Sequence, residues 1–394
     1  MIPVVTYVLC ILPVLIALIK LVHFKRRLHI RESLLAEEKP SVRIEKADRV
    51  VEGMCPRVLF VDDVLGTITF NGDYVNKGKF GRVIKITNLP PNSKYTRSVV
   101  LKIMKEAKVE MFRDEVSALE DLQSTEGEAY ETICHPGRSR IVQFLGSYQD
   151  FQNHELCLMF EQLGRDLLDY SNESSLTVAD IRIVARDILD ALDYCNARGY
   201  VHCDVKPENI LWVLGGQRRV KLIDFGLACM ISDQRTDTVG TIGYLSPEVI
   251  LGLPRDGKSD VWSLAVTLLS LITMRDVFDV PDGDRGCHLL MMERLCGQRI
   301  PQRMIGKSVS LASKRFLVKY RYKPAEIREM FPGRAAHLSR MTIDQVISQC
   351  ERVDVDADSL TELLKAMMII VPSERVSASE ALDYDFLNSS PYML

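Results

Sequence analysis

The chain has 394 residues, 47% hydrophobic and 26% charged, and its 50 Lys+Arg against 53 Asp+Glu leave a net charge of −3. A chain this long and apolar builds a packed core, which excludes a wholly disordered, collagenous or disulfide-stapled molecule. The balanced charge offers no overall basic surface, so direct nucleic-acid binding is not expected.

Residues 1–19 carry no charged side chain, and Ile2, Val4, Val5, Val8, Leu9, Ile11 and Leu12 begin an apolar run that Leu21 and Val22 extend. A helix needs about 20 apolar residues to cross a bilayer. Lys20, Lys25, Arg26, Arg27 and Arg31 follow, and positive charge stays on the cytoplasmic side. The expectation is an uncleaved transmembrane helix over residues 1–23, touching the membrane through residues 2–22, with the rest of the chain cytoplasmic. A cleaved signal peptide fits poorly, because its charged n-region and small-residue cleavage site are missing. Residues 24–63, with Glu37-Glu38-Lys39-Pro40, read as a charged linker that lets the next domain stand off the membrane. The ten cysteines form no C-x-x-C pair and no zinc spacing, which points to free thiols in a reducing compartment.

Residues 64–390 read as one domain. Short β-rich runs come first, over 67–75, 82–87 and 98–104. A helix over 110–123 then places Phe112, Val116, Leu119 and Leu122 on one face. Two more strands are expected over 141–148 and 155–161. After Gly164 the chain turns mainly helical, and residues 181–197 are amphipathic through Ile181, Val184, Ile188, Leu192 and Cys195. A small sheet lobe with one helix, then a larger helical lobe, is a two-lobed α+β layout with its ligand groove between the lobes.

Three stretches carry chemistry. Asn76-Lys77-Gly78-Lys79-Phe80-Gly81-Arg82-Val83 lies between two strands. Its glycines let backbone N–H groups approach phosphates, although alone it reads first as an ordinary hairpin. Lys102, closing Val99-Val100-Leu101-Lys102, reads alone as a snorkelling edge lysine. Paired with Glu115 on the following helix, it would aim its ammonium at phosphate oxygens. The third stretch, His202-Cys203-Asp204-Val205-Lys206-Pro207-Glu208-Asn209-Ile210-Leu211, puts three polar groups in one tight turn. Asp204 offers a carboxylate to accept a hydroxyl proton, Lys206 an ammonium to neutralise a transferring group, and Asn209 an amide oxygen for a hard cation such as Mg²⁺. Asp224-Phe225-Gly226 follows the apolar run 220–223 and offers the main metal carboxylate, and Ser246-Pro247-Glu248 comes next.

These elements, in this order, resemble the eukaryotic protein kinases over about residues 68–388. The resemblance implies a bilobal protein-kinase fold, α+β, with a small β-rich N-lobe and a larger helical C-lobe. It implies ATP and Mg²⁺, and transfer of the γ-phosphate to Ser or Thr hydroxyls of protein substrates, with Tyr as a further acceptor. Lys102 would contact the α- and β-phosphates and pair with Glu115. Asp204 would orient and deprotonate the acceptor, Lys206 would steady the γ-phosphate, and Asn209 and Asp224 would hold Mg²⁺. Asn76, Gly78, Phe80, Gly81 and Val83 would cover the nucleotide. Val100, Leu211, and the hinge residues Glu161 and Leu163 would surround adenine, with Phe160 at the gatekeeper position, and Asp166 would reach the ribose. Glu208 and Thr241 would meet the protein substrate. Glu248 would pair with Arg375 in a buried ion pair, and Asp260 would brace the catalytic turn, with a helix N-cap as its equal alternative.

A finer resemblance lies in His288-Leu289-Leu290-Met291-Met292-Glu293-Arg294-Leu295, which is similar to the signature of the LAMMER kinases of the CMGC group. As a bare pattern it is a Met-rich core helix face. The stretches 157–164 and 297–305 and Lys314-Arg315-Phe316 are similar to the same family. This resemblance implies Ser/Arg-rich protein substrates and a nuclear alternative to the membrane.

The departures from the family pattern are specific. Asn76 stands for the first loop glycine, and Val100 for the alanine above adenine. Cys203 stands for the arginine that meets a phosphate on the activation segment, which suggests activity without a phosphorylated loop. Leu245 stands for the arginine usual in the CMGC group, and Thr241 marks Ser/Thr specificity. Ser232, Thr236 and Thr238 read first as solvated loop residues, and second as phosphosites. The alternative function is a membrane-tethered pseudokinase scaffold that binds nucleotide without transfer; the complete set of Lys102, Glu115, Asp204, Lys206, Asn209 and Asp224 argues for the enzyme.

Overall fold

The structure, a computed structural model, describes residues 57–62, 66–77, 82–86, 98–125, 130–150, 155–216, 218–280, 284–320, 341–350, 353 and 356–388. The membrane helix expected over residues 1–23 and most of the linker lie outside these, as do Gly78, Phe80 and Gly81. Among the described residues no helix is long and apolar enough to cross a membrane, and no disulfide links the described cysteines.

Alternating burial builds the first lobe. Ile84 and Ile86 are buried on one strand, and Val99, Leu101 and Ile103 on the next, the period-2 pattern of a half-covered sheet. The strands are β1 (Arg57–Asp62), β2 (Gly66–Lys77), β3 (Arg82–Ile86), β4 (Val99–Lys105), β5 (Phe144–Asp150) and β6 (Glu155–Glu161). They form one sheet in the order β1-β2-β3-β4-β6-β5, every pair antiparallel. The folded sheet therefore begins inside the stretch read as linker. Arg57-Val58-Leu59-Phe60-Val61-Asp62 is a short apolar run between charged ends, and periodicity alone does not assign such a run; pairing with β2 makes it a strand. The expected strand over 141–148 also starts later. Ile141 bridges instead to Leu222 of the second lobe, and the register of β5 shifts between Phe144 and Gly146, where Gly146 has φ 149°.

Helix α1 (Val109–Gln123) buries Phe112, Glu115, Val116, Ala118, Leu119 and Leu122 and packs against β5 and β6. Its C-terminal end is tied to the second lobe. Asp121 receives Tyr200 Oη at 2.9 Å and Arg198 Nη2 at 2.9 Å, and Leu122 O receives Tyr194 Oη at 2.5 Å.

The larger lobe holds α2 (Leu167–Glu173), α3 (Val178–Ala197), α4 (Pro247–Leu251), α5 (Gly257–Thr273) and α6 (Arg285–Leu295). Thr177 and Asp180 cap α3 reciprocally, which satisfies N–H groups that a helix start leaves open. Helix α5 is apolar nearly all round, from Val261 and Trp262 to Ile272, as a central helix must be; it packs on α3. Two small ladders lie over these helices. β7 (Tyr200–Val201) pairs with β10 (Cys229–Met230), and β8 (Ile210–Trp212) with β9 (Val220–Leu222). The turn carrying Asp204 runs from β7 to β8, and Asp224 follows β9.

Glu248 of α4 and Arg375 form the expected buried ion pair, two-pronged at 2.7 and 3.0 Å. Ser259 Oγ adds a donor to Glu248 at 2.9 Å, and the guanidinium lies over the Trp262 ring at 5.1 Å. Burial alone would raise the Glu248 carboxyl, but Arg375 outweighs it and holds the carboxyl below its ordinary value. Removing one partner strands the other charge in the core. Arg375→Met is expected to lower stability by about 3–5 kcal/mol in denaturant unfolding; an unchanged midpoint would contradict a structural role for the pair.

Candidate active site

Lys102 on β4, Glu115 on α1 and Asp224 after β9 meet where the lobes face each other. Lys102 Nζ donates to both Glu115 oxygens at 2.8 Å and to Asp224 Oδ1 at 2.7 Å, which uses all three of its protons. Glu115 is the one charged residue on the buried stripe of α1, and burial pushes its carboxyl up to about 7 although Lys102 pulls it down. For Lys102, burial works against the ammonium, but Glu115 and Asp224 outweigh it and hold the group above its ordinary value. Asp224 is held below the usual carboxylate range, because Lys102 outweighs the effect of burial. Gly226 belongs to this cluster: a Cβ there would come within 3.2 Å of Glu115 Oε2 and 3.3 Å of Asp224 Oδ1.

The turn between β7 and β8 gathers a second cluster. Asp204 Oδ1 accepts from Thr241 Oγ1 at 2.6 Å, and Asp204 Oδ2 accepts from Asn209 Nδ2 at 3.1 Å and lies 3.0 Å from Lys206 Nζ. Lys206 Nζ also donates to Thr241 Oγ1 at 2.8 Å. Asp260 fixes the backbone beneath, accepting from His202 N at 2.6 Å and Cys203 N at 2.9 Å. The cap of α5 is Asp256, whose side chain accepts from Lys258 N, so Asp260 braces the turn and does not cap the helix. Cys203 (φ 69°) and Asp224 (φ 64°) occupy the left-handed region, a strain that persists only where neighbours hold it. His202 links the two, with Nε2 at 3.0 Å from Ile223 O and its ring edge-on to Phe225 at 4.8 Å.

The residues expected around adenine line up by register. Val83 pairs with Lys102, and Val100 with Phe160, whose ring lies 5.7 Å from Phe144. Glu161 ends β6, donates its N–H to Gln143 O at 3.0 Å and takes Lys221 Nζ at 2.5 Å. Leu163 is buried, and Gly164 N donates to Trp212 O at 2.7 Å, which pins the hinge to β8. Asp166 bridges to Leu211 and caps α2 by accepting from Asp169 N at 2.8 Å; its expected reach to a ribose therefore competes with a capping role. Asn76 lies at the register shift of β2 against β3.

The donor chemistry fits a hard cation at Asn209 and Asp224. The Asn209 amide nitrogen is committed to Asp204, which leaves the amide oxygen as its ligating end. Ile223 N donates to Asn209 O at 2.9 Å, which ties the backbone of Asn209 to the residue before Asp224. Two protein oxygens supplemented by phosphate and water are typical of Mg²⁺.

Two features were not read from the sequence. Arg255, after α4, is buried and donates to Asp237 and toward Cys203; no local pattern joins these three positions. Glu208 Oε2 is buried without a hydrogen-bond partner among the described residues. The signature stretch 288–295 is packed into the core, with His288, Leu290, Met291 and Met292 buried. His288 lies 4.8 Å from Phe278, and burial lowers its pKa to about 3.

Comparisons with known proteins agree with this geometry. Residues 72–387 match the family model described as protein kinase domain. The chain is 30% identical to the serine/threonine-protein kinase AFC3 of Arabidopsis thaliana, over 80% of this chain and 81% of that protein. It is 28% identical to the dual specificity protein kinase CLK1 of Homo sapiens, over 80% of this chain and 65% of that protein. With the dual specificity protein kinase lkh1 of Schizosaccharomyces pombe it shares 28% identity over 65% of this chain and 39% of that protein. In fold it matches the crystal structure of a kinase domain with TM-score 0.61 at 24% identity, covering 87% of this chain and 98% of that one.

The raised carboxyl of Glu115 has a measurable consequence. As the pH falls through about 7, Glu115 takes a proton and Lys102 loses its fixed partner. Affinity for a fluorescent ATP analogue is expected to weaken across that range, and Glu115→Gln to flatten the dependence at a lower affinity. The same acid limb in Glu115→Gln would contradict the assignment.

Proposed function

The chain belongs to the protein kinase family, and on that premise we propose that it moves the γ-phosphate of ATP to Ser and Thr hydroxyls of basic protein substrates. One observation carries the reading: Asp204, Lys206, Asn209 and Thr241 close on one another within 3.1 Å, beside Asp224 and its ion pair to Lys102.

Each residue has work suited to its chemistry. Lys102, held by Glu115, presents its ammonium to the α- and β-phosphates, which displace Asp224 from it. Asp204 receives the acceptor hydroxyl, aligns its oxygen with the γ-phosphorus and takes its proton. Lys206 neutralises charge on the transferring group. Asn209 and Asp224 would hold Mg²⁺, which supplies charge neutralisation along the phosphates. Transfer is thereby a matter of positioning and electrostatics, with no covalent enzyme intermediate required. Thr241, bridging Asp204 and Lys206, sets the depth of the acceptor site and favours the short hydroxyls of Ser and Thr over Tyr.

The unpartnered buried oxygen of Glu208 supports the substrate class. A carboxylate left without a donor costs free energy, and an arginine or lysine of the substrate supplies the missing donors. This favours basic segments, with Ser/Arg-rich proteins as one such group.

Radiolabel transfer from ATP–Mg²⁺ to basic and neutral peptides tests both levels. Wild type is expected to label Ser and Thr of the basic peptide, Asp204→Ala to fall by about a hundredfold to ten-thousandfold, and Glu208→Gln to lose the basic preference while still labelling neutral peptide. Equal labelling by wild type and Asp204→Ala would end the catalytic reading, and phosphotyrosine as the main product would end the Ser/Thr assignment.

We also propose, from residues 1–22, that the full chain is anchored in a membrane with its catalytic domain cytoplasmic. Alkaline carbonate extraction is expected to leave it in the pellet; release into the supernatant would favour the nuclear alternative.

A further inference from the structure

A buried guanidinium is always charged and needs a partner. Arg255 has a side chain only 3% exposed, against 50% for Asp237, with which it pairs. Its Nη2 donates to Asp237 O at 2.5 Å and to the Asp237 carboxylate, and its Nη1 lies 3.9 Å from Cys203 Sγ. One side chain thus joins the segment that follows Asp224 to the turn that carries Asp204.

Asp237 sits four positions before Thr241, and the residues between are pressed onto the same turn. Gly240 has φ 117°, and a Cβ there would lie 2.5 Å from Cys203 O. Thr238 Oγ1 donates to Val249 O at 3.4 Å. The path from the Arg255 contact to the Thr241 hydroxyl is short and packed, so a shift at Asp237 is a shift at the acceptor site.

We propose that Arg255 and Asp237 are positioning residues for phosphoryl transfer, and that their encoded ion pair seats the activation segment without a phosphate. Position 203, from which an arginine would meet a phosphorylated segment, is a cysteine. The guanidinium arrives from the residue before the cap of α5, and the anion is a carboxylate of the segment itself. No kinase is then needed upstream to switch this chain on. The inference rests on the kinase reading above.

The test uses the full chain, before and after phosphatase treatment, varying ATP and a basic peptide separately. Wild type is expected to keep its activity after phosphatase. Asp237→Ala is expected to lose about tenfold or more in kcat/KM for the peptide, with KM for ATP unchanged, and Asp237→Glu to retain most of the wild-type value. An active wild type with an unaffected Asp237→Ala overturns this inference alone. Equal losses in Asp237→Ala and Asp237→Glu, a parallel loss of ATP binding, or inactivation of wild type by phosphatase also overturn it. An inactive untreated wild type contradicts the kinase reading itself, and this inference falls with it.

Discussion

A carboxylate at the bottom of a helix–sheet interface costs several kcal/mol unless a cation meets it, and Glu115 stands in that position with its side chain fully buried. Lys102 meets it from the neighbouring strand and reaches on to Asp224. Strand and helix are neighbours in the chain, the segment after β9 lies more than a hundred residues on, and this cluster draws all three together. Helix α1 cannot drift from its place without stranding that charge. Its other end is held by the bonds from Tyr194, Arg198 and Tyr200 to Asp121 and Leu122. The orientation of one lobe against the other follows from these two anchorages.

The second cluster depends on the first through the backbone. Asp224 and Cys203 are both in the left-handed conformation, and His202 ties the turn of Asp204 to Ile223, next to Asp224. Asp260 holds that turn from below with two accepted N–H bonds. The carboxylates of Asp204 and Asp224 are therefore set by one rigid frame, as the proposed positional catalysis requires. The strain is placed where the side chains act.

Much of the site was legible because its chemistry is local in the sequence. Asp204, Lys206 and Asn209 share one turn, and Asp224 closes an apolar run, so spacing alone brings them to notice. Glu115 was legible as an acid partner for Lys102 on the helix that follows its strand. The strand β1 was not, since four apolar residues between charges carry no period and only the partner strand decides them. Arg255 and Asp237 were not, because their meeting is made by the packing of α4 and by an absence at position 203. The role of Asp260 was evenly divided in the sequence, and the contacts with His202 and Cys203 decide it. The stretch 288–295 was legible in both its aspects: it packs the core as a Met-rich helix face, and the relatives found agree with the family resemblance it carries.

If Asp224 and Asn209 hold a cation against a nucleotide bound through Lys102, ATP affinity depends on Mg²⁺ through Asp224. Calorimetric titration of the full chain with ATP, with and without Mg²⁺, in wild type and Asp224→Asn, tests it most directly. The expected result is that Mg²⁺ strengthens ATP binding about tenfold in wild type and leaves Asp224→Asn unchanged. An equal gain in both proteins, or none in wild type, would contradict it.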